Sequence, residues 1–363
     1  MASIWNALKD KILGKRLQFS VGYQLPGEIN DHDMADLIGQ YRKSISEVFF
    51  AMPGDASGRA PVGSRCSMTA EEARERMFTD LDRLNAIGLP GVILFNSSCY
   101  GGGYGTESLL TNVRKSIEEA GKHIRLRAAT VISLPIAEAI KWDFPELEVR
   151  SSINMHIGTI NQMEMAATYF DGYYLNRDYN RDLDHIRRVR QWCDEHGKSL
   201  HMLANSGCIY QCPHRHHHEN VVAHIDEIAS RESAYKGTLA PCFQMLTDPS
   251  VQYWVLRNTW IRPEDIRHYA DLFDTIKLAT RESSEPEYTL LAYSTEKWNG
   301  NLLDILEPGH GGVDGMPLVM NSRFPEDWFE HTTRCGHHCD GCGYCKAVFE
   351  KVSKVPQRAS MLM

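Results

Sequence analysis

The sequence lacks the features that would place a protein in a membrane, in the secretory pathway or on nucleic acid. No apolar run reaches the roughly 18 residues that a membrane-spanning helix needs. The first segment, MASIWNALKDKILGKR, has neither the apolar centre nor the cleavage site of a secretory signal. The net charge is −8, which leaves no basic excess for nucleic acid. We therefore expect a cytoplasmic protein with no membrane span and no nucleic-acid partner.

The usual signatures of several enzyme mechanisms are also missing. The chain contains no G-x-S-x-G elbow and no nucleotide-binding P-loop. His218 and Glu219 begin like a zinc-protease helix, but the next histidine, His224, comes too late to complete H-E-x-x-H. The turn after the first expected strand, VGYQLPGE, is not the glycine-rich turn of a dinucleotide-binding fold. The sequence thus favours neither a serine nucleophile nor a nucleotide substrate.

Eight apolar segments alternate with amphipathic helical patterns along most of the chain. They fall at residues 17–23, 47–52, 92–96, 126–132, 147–154, 172–176, 200–205 and 275–279. Strands that alternate with helices form parallel βα units, and eight such units suit a closed barrel. We therefore predict an α/β fold, a (β/α)8 TIM-like barrel at residues 1–281.

Two regions fall outside this alternation. The connection after the seventh strand, residues 206–262, is too long for a simple βα loop. We expect it to form an inserted lobe over the barrel face that carries active sites. Residues 282–363 form a second region, with one helix near residues 285–298 and a cysteine-rich C-terminal tail.

The tail holds four cysteines within eleven residues, Cys335, Cys339, Cys342 and Cys345. In a protein without an export signal, clustered thiols indicate a metal site rather than disulfides. One dense run is closer to the usage of a 4Fe-4S cluster than to structural zinc, which remains the alternative. The first three cysteines also match the spacing of the radical S-adenosylmethionine triad. That chemistry is disfavoured because the triad normally follows the first barrel strand and Cys345 would close the open site.

A second set of thiols is expected at the barrel face. Cys208 and Cys212 form a Cys-x3-Cys loop after the seventh strand, and Cys242 lies in the same lobe. Cys66 follows the second strand and would supply the fourth ligand, because a parallel barrel gathers its post-strand loops at one rim. The competitors for this place are Cys99, in the glycine-rich loop FNSSCYGGGYG, a histidine from 214–218, or no protein ligand at all.

Cationic side chains near the strand ends suggest an anion site. Arg177, Lys277 and Arg281 follow the sixth and eighth strands or lie at their ends. Arginine suits carboxylate and phosphate groups through its two-pronged geometry. The alternative is ordinary ion pairing with neighbouring acidic residues.

Four segments resemble the collagenase-like peptidase group called U-32, over roughly residues 16–281. VRSSINMHIGTINQ is similar to the fifth-strand segment of that group, and YLNRDYNRDLDHI to its sixth, with Arg177 at the arginine. DTIKLATR resembles the closing Lys-Ile-Glu-Gly-Arg, with Lys277 and Arg281 matching. LANSGCIYQCP keeps only Ser206-Gly207 and the thiols of the group's most specific signature. The chain is thus identified as a divergent relative.

The resemblance implies a cofactor and a chemistry. Members of the group look like iron–sulfur proteins, several of which act in oxygen-independent hydroxylation, with prephenate implicated as the oxygen donor. In one branch a four-cysteine 4Fe-4S cluster takes one ligand after strand two and the others beyond strand seven. Cys66 sits in the first place, and Cys208, Cys212 and Cys242 sit in the second.

Three functional hypotheses follow. The leading one is an iron–sulfur oxidoreductase that hydroxylates a small anionic substrate without molecular oxygen, with a prephenate-like co-substrate. The tail cluster would then relay electrons, or dock a homologous partner subunit or electron-transfer protein. The second hypothesis is a hydrolase that acts on peptides, as in the U-32 name. The third is a non-catalytic iron–sulfur partner subunit.

Overall fold

The fold is a closed barrel of eight parallel strands in a computed structural model. The model describes residues 17–59, 62–63, 66, 68–229 and 240–354. The strands are paired in chain order, and β1 pairs with β8 to close the barrel. The predicted (β/α)8 barrel is therefore confirmed.

All eight predicted strands are present, with bounds that differ by a few residues. They are β1 (Phe19–Gly22), β2 (Ile45–Phe50), β3 (Gly91–Phe95), β4 (Leu126–Val131), β5 (Glu148–Ser151), β6 (Gly172–Tyr174), β7 (Ser199–Leu203) and β8 (Thr275–Leu278). Two short strands near the C-terminus, β9 (Leu318–Val319) and β10 (Ser353–Lys354), pair antiparallel.

Helices follow or precede the strands around the outside of the barrel. The first six are α1 (Met34–Gln40), α2 (Ala70–Ala86), α3 (Glu107–Gly121), α4 (Leu134–Asp143), α5 (Ile160–Ala166) and α6 (Leu183–Glu195). Beyond β7 come α7 (Arg215–Ala223), α8 (Ile225–Ala229), α9 (Pro241–Met245), α10 (Pro286–Thr295), α11 (Trp328–Arg334) and α12 (Tyr344–Val352). Short 3-10 helices lie at Gly101–Gly103, Ile153–Met155, Arg177–Tyr179, Gln252–Leu256, Pro263–Tyr269, Leu302–Ile305 and Asn321–Arg323. None of the helices in the described ranges is long and apolar enough to cross a membrane.

Local sequence signals explain where the helices begin. Thr69 and Glu72 form a capping box at the start of α2, in which each side chain satisfies a backbone N–H of the other residue. Asp182 caps α6 with its side chain, which accepts from the N–H of His185. These caps fix the helix starts relative to the strands and hence the lengths of the active-face loops.

The barrel interior contains a charged layer that the apolar reading of the strands did not predict. Arg150 of β5 donates to Glu47 of β2 and to Glu148, each at 2.7 Å. Glu47 is fully buried and Arg150 is 2% exposed. A charge buried in this way needs a partner, so these strands are held together by ion pairing as well as by apolar packing.

The C-terminal region packs against the barrel mouth. Ser206, just after β7, forms a bridge with Glu307, and the N–H of Gly207 donates to the carbonyl of Glu307 at 3.1 Å. A Cβ on Gly207 would overlap the carbonyl oxygen of Pro308, so only glycine allows this approach. The segment around Pro308 thereby becomes one wall of the barrel mouth.

Candidate functional site

A cysteine, a histidine and a carboxylate meet at the C-terminal face of the barrel. Cys99 follows β3, and its thiol lies near enough to the imidazole of His224 for each group to shift the pKa of the other. His224 is the C-cap residue of α7, and its Nδ1 lies 3.3 Å from Glu227 Oε1. The order of these groups, a thiol, a base and a residue that orients the base, is that of a nucleophile triad.

The electrostatics of this set favour a thiolate beside an imidazolium. The hydrogen bond from His224, with a second from the Gly101 N–H at 3.3 Å, lowers the pKa of Cys99 below its usual value. The hydrogen bonds to Cys99 and then to Glu227 raise the pKa of His224. Reactive cysteines lie in such polar, partly exposed surroundings, whereas structural ones are buried and inert.

The backbone next to Cys99 is open. Gly101, Gly102 and Gly103 form a single 3-10 turn, and a Cβ on any of them would meet no other atom within 4 Å. Gly101 has a φ of 54°, a conformation that glycine adopts without strain. A substrate backbone could therefore approach the thiol on this side without meeting side chains.

A cavity of about 550 Å³ lies along α7, at the barrel mouth. It is lined by loops from several strands and from the C-terminal region, among them Arg59, Asn154, Arg177, Glu219, Glu307 and His310. Cavities of this volume take drug-sized ligands. Glu219 and His224 are five residues apart on the same helix, or about 7 Å along its axis. The helix α7 therefore lines the cavity and, at its C-terminal end, places His224 next to the thiol of Cys99.

The cavity wall combines paired charges with an unpaired imidazole. Arg59 donates twice to Glu307, at 3.1 and 3.0 Å, and Arg177 lies 3.5 Å from Glu219. His310 is 2% exposed, and neither of its ring nitrogens has a hydrogen-bond partner in the described part of the chain. Burial lowers the pKa of His310 to about 4, so the ring is neutral at pH 7. A ligand with an amide or carboxyl group would satisfy it.

The three cations predicted from the sequence all lie at this end of the barrel. Arg177 lines the cavity, where its Nη1 lies 3.3 Å from Cys208 Sγ. Lys277 is 9% exposed, and its Nζ lies 3.7 Å from the ring centre of Phe49. Burial, with the charges of Arg59 and then Arg281, lowers the pKa of Lys277 to about 7. Burial also lowers the pKa of Arg281, to about 10.

The four thiols predicted for a barrel cluster are only partly brought together. Cys208, Cys212 and Cys242 lie in the lobe, and burial first, then the other two thiols, raises the pKa of Cys242 to about 11. Cys66 lies after β2, and its thiol donates to the carbonyl of Gly63 at 3.2 Å. Among the described residues, these thiols do not converge within the 4.8 Å that ligands of a single ion would span. The barrel cluster stays a prediction.

The tail thiols converge on one small cavity. Cys335 ends α11, Cys345 lies in α12, and Cys339 and Cys342 fall in the loop between them. All four line a cavity of about 30 Å³. Burial raises the pKa of Cys345 to about 11, against the effect of the nearby Arg181 guanidinium. Among the described residues, no three of these thiols come within 4.8 Å of one another, so the metal centre and the identity of its metal both stay predictions.

Two groups of functional residues were not found from the sequence. The pairing of Cys99 with His224 joins positions 125 residues apart, on different loops. His156, His216 and Glu219 also offer ligand atoms within 4.8 Å of one another. In each case one member lies in the lobe and its partner follows a distant strand, so spacing along the chain carried no signal.

Comparison with known proteins identifies one protein of similar sequence and several solved structures of similar fold. No protein-family model matches. The uncharacterized protease MJ1657 of Methanocaldococcus jannaschii is 25% identical over 276 residues, which cover 72% of this chain and 77% of that protein. The solved structure of the U32 peptidase Mk0906 superposes with a TM-score of 0.50 at 13% identity, over 73% of this chain and 93% of that one. The tryptophan synthase alpha subunit of Legionella pneumophila reaches a TM-score of only 0.40 at 12% identity, over 85% of this chain and 94% of that one.

The closed barrel and the likeness to a relative named as a protease favour an enzyme. The chain is thus similar in sequence to a protein named as a protease and in fold to a U32 peptidase, which supports the resemblance to the U-32 group. The leading functional hypothesis, oxygen-independent hydroxylation by an iron–sulfur oxidoreductase, is wrong: the sequence relative is named as a protease and the fold neighbour as a U32 peptidase. These findings support the peptidase hypothesis better.

Proposed function

We propose that this protein is a cysteine peptidase that cleaves short peptides at the C-terminal face of its barrel. The observation that carries the proposal is the Cys99–His224–Glu227 set. The thiol of Cys99 neighbours the imidazole of His224, and that imidazole contacts the carboxylate of Glu227. The protease name of the sequence relative supports the same reaction class.

Each member of the set has a defined task in peptide cleavage. The Cys99 thiolate attacks the carbonyl carbon of the scissile bond. The His224 imidazolium then gives its proton to the leaving nitrogen, and the C–N bond breaks. Water hydrolyses the resulting thioester, with His224 taking a proton from the water and the thiolate being restored. Glu227 holds the imidazole and stabilises its charged form.

The size and lining of the cavity beside α7 indicate which class of substrate the protein would bind. Its volume of about 550 Å³ suits a peptide of a few residues rather than a folded protein. His310 offers an unsatisfied imidazole to a substrate amide. Lys277 and Arg281 lie at and just after the end of β8, close to the cavity-lining Arg59. We assign these two cations to an anionic group of the substrate, for which a peptide carboxylate is the obvious candidate.

The test is cleavage of a mixture of short synthetic peptides, followed by mass spectrometry. Cys99→Ala should abolish cleavage, and His224→Ala should slow it by about 10²–10⁴-fold, the usual loss when a general base is removed. His217→Ala is the matched control, because this exposed histidine lies on the same helix outside the set. Cleavage that survives in Cys99→Ala would remove the thiol from the mechanism.

The tail belongs to the proposal as a structural metal centre. Its four cysteines line one small cavity between α11 and α12, and Arg181 provides a nearby positive charge that favours thiolates. A 4Fe-4S cluster or zinc bound there would hold the two helices together. Metal analysis of anaerobically purified protein distinguishes the two: iron with matching acid-labile sulfide indicates the cluster, and zinc alone indicates a structural zinc site.

A further inference from the structure

A second cluster of potential ligands lies between the lobe and the barrel, apart from the tail and from the thiols. His156, His216 and Glu219 offer one nitrogen or oxygen atom each, all within 4.8 Å of one another. His156 Nε2 lies 3.0 Å from Glu219 Oε2, and the ring centres of the two histidines are 4.6 Å apart at 70°. Side chains collected at this distance could all reach one ion.

Local structure explains how these residues are presented. His216 and Glu219 are three residues apart on α7, so they occupy the same face of that helix. His156 follows the 3-10 turn at Ile153–Met155, directly after β5, and has a φ of 54°. A residue other than glycine adopts this left-handed conformation at a cost, which the surrounding structure must offset. The turn thereby directs His156 from the barrel toward the lobe.

The carboxylate of the set is supported by a neighbouring cation. Arg177 Nη2 lies 3.5 Å from Glu219 Oε1, while the other carboxylate oxygen lies near His156. Arg177 is itself held near Asn154, at 3.4 Å. Metal-binding carboxylates are commonly oriented by such outer contacts. His216 is exposed, so one side of the set is open to solvent and to a further ligand.

Two imidazoles and one carboxylate are a donor set typical of zinc and similar ions, with a fourth position left for water. We propose that His156, His216 and Glu219 bind a divalent transition metal ion that ties α7 to the end of β5, and that this sets the position of His224 against Cys99. Binding of the ion does not depend on the peptidase proposal. The positioning of His224 rests on that proposal.

The geometry of α7 provides the link between the ion and the thiol. The helix begins at Arg215 and ends at Ala223, and His224 caps its C-terminus. An ion held through His216 and Glu219 would fix the first turns of this helix to the barrel. Because a helix moves as a rigid element, its last residue would be fixed as well. Without an ion, the His156–Glu219 hydrogen bond is the contact that joins α7 to the turn after β5, while Arg215 at the start of the helix pairs with Asp178 after β6.

Binding is measured with Co²⁺, because its spectrum separates the candidate sites. Cobalt bound to thiolates absorbs strongly in the near ultraviolet, whereas cobalt bound to imidazole and carboxylate gives only weak visible bands. The full-length protein should bind one equivalent of the second type. His156→Ala and Glu219→Gln should each lose that equivalent, and His217→Ala, an exposed histidine on the same helix, should keep it. Equal Co²⁺ binding by wild type and both ligand variants would overturn the site.

Positioning is measured by alkylation of Cys99 with iodoacetamide, followed by peptide mapping. Filling the site should speed labelling of Cys99 at pH 7 several-fold and lower the apparent pKa of that labelling. His156→Ala should lose this response, and His217→Ala should retain it. Circular dichroism melting identifies any variant that fails to fold, and Glu219→Gln, which keeps the shape of the side chain, provides the second test.

The outcomes separate the two proposals. Co²⁺ binding with no change in Cys99 labelling would leave the metal site standing and overturn its positioning role. Co²⁺ binding and faster labelling without cleavage of any peptide would support this inference while removing the peptidase function. Peptide cleavage by protein that binds no Co²⁺ of the imidazole–carboxylate type would support the peptidase and refute the metal site.

Discussion

Replacing Lys277 by methionine should make the protein more stable at pH 7. Lys277 is 9% exposed, its ammonium rests on the ring of Phe49, and burial together with Arg59 and Arg281 lowers its pKa from 10.5 to about 7. The folded protein therefore holds this proton less tightly than the unfolded chain. The shift corresponds to a penalty of roughly 4 kcal/mol at pH 7. Methionine has a similar length and carries no charge.

The stabilisation expected for Lys277→Met is reduced because the substitution also removes the contact between the ammonium and the ring of Phe49. A desolvated cation above an aromatic ring contributes about 2 kcal/mol, so the net stabilisation should be about 2 kcal/mol. The penalty is absent above about pH 10.5, grows as the pH falls, and is complete below about pH 7. The advantage of Lys277→Met should therefore shrink as the pH is raised from 7 toward 10.

Urea unfolding followed by tryptophan fluorescence at pH 7 and pH 9.5 measures this difference. Lys297→Met, at an exposed position, is the control and should change stability little at either pH. Lys277→Met should also weaken cleavage of peptides that carry a free carboxylate. A variant that is less stable than wild type at pH 7, or whose advantage does not change with pH, would refute the view that Lys277 is a strained, functional charge.

Three further predictions concern other parts of the molecule. Arg150→Met should destabilise the protein by about 3–5 kcal/mol, because it leaves the fully buried Glu47 without its main partner; a loss below about 1 kcal/mol in urea unfolding would contradict this. Gly207→Ala should lower the melting temperature, because its Cβ would overlap a carbonyl of the C-terminal region; an unchanged melting temperature would show that this joint can relax. The double change Cys339→Ser with Cys342→Ser should remove metal bound at the tail while the far-ultraviolet circular dichroism stays the same; an unchanged metal content would place the metal elsewhere.

The regular part of the fold could be predicted because it depends on local patterns. The apolar segments identified all eight barrel strands in order. The fifth was predicted at 147–154 but ends at Ser151, because the chain turns at Ile153–Met155 toward the lobe. The ion pairs of Glu47 and Arg150 were missed because a buried charge within an apolar strand is recognisable only when its partner on another strand is known.

In the candidate site, too, the features that are local in sequence could be predicted, and the long-range contacts could not. The tail thiols are close in sequence, and all four line one small cavity, so sequence and structure both group them. Cys99 was recognised as a thiol on the active face, but its base, His224, lies in the lobe at the end of α7. His156 and Glu219 are 63 residues apart and meet only because the lobe folds back over β5. Contacts between an inserted lobe and its barrel follow from the path of the chain, which local periodicity does not contain.

The most direct test of the central claim is to trap the acyl-enzyme during turnover. Protein mixed with a short peptide that it cleaves is quenched in acid within the first turnovers, digested, and examined by mass spectrometry. The account predicts a thioester adduct on the fragment that contains Cys99, accumulating further when His224 is replaced by alanine and deacylation slows. Turnover without an adduct on Cys99, continuing in Cys99→Ala, would contradict it.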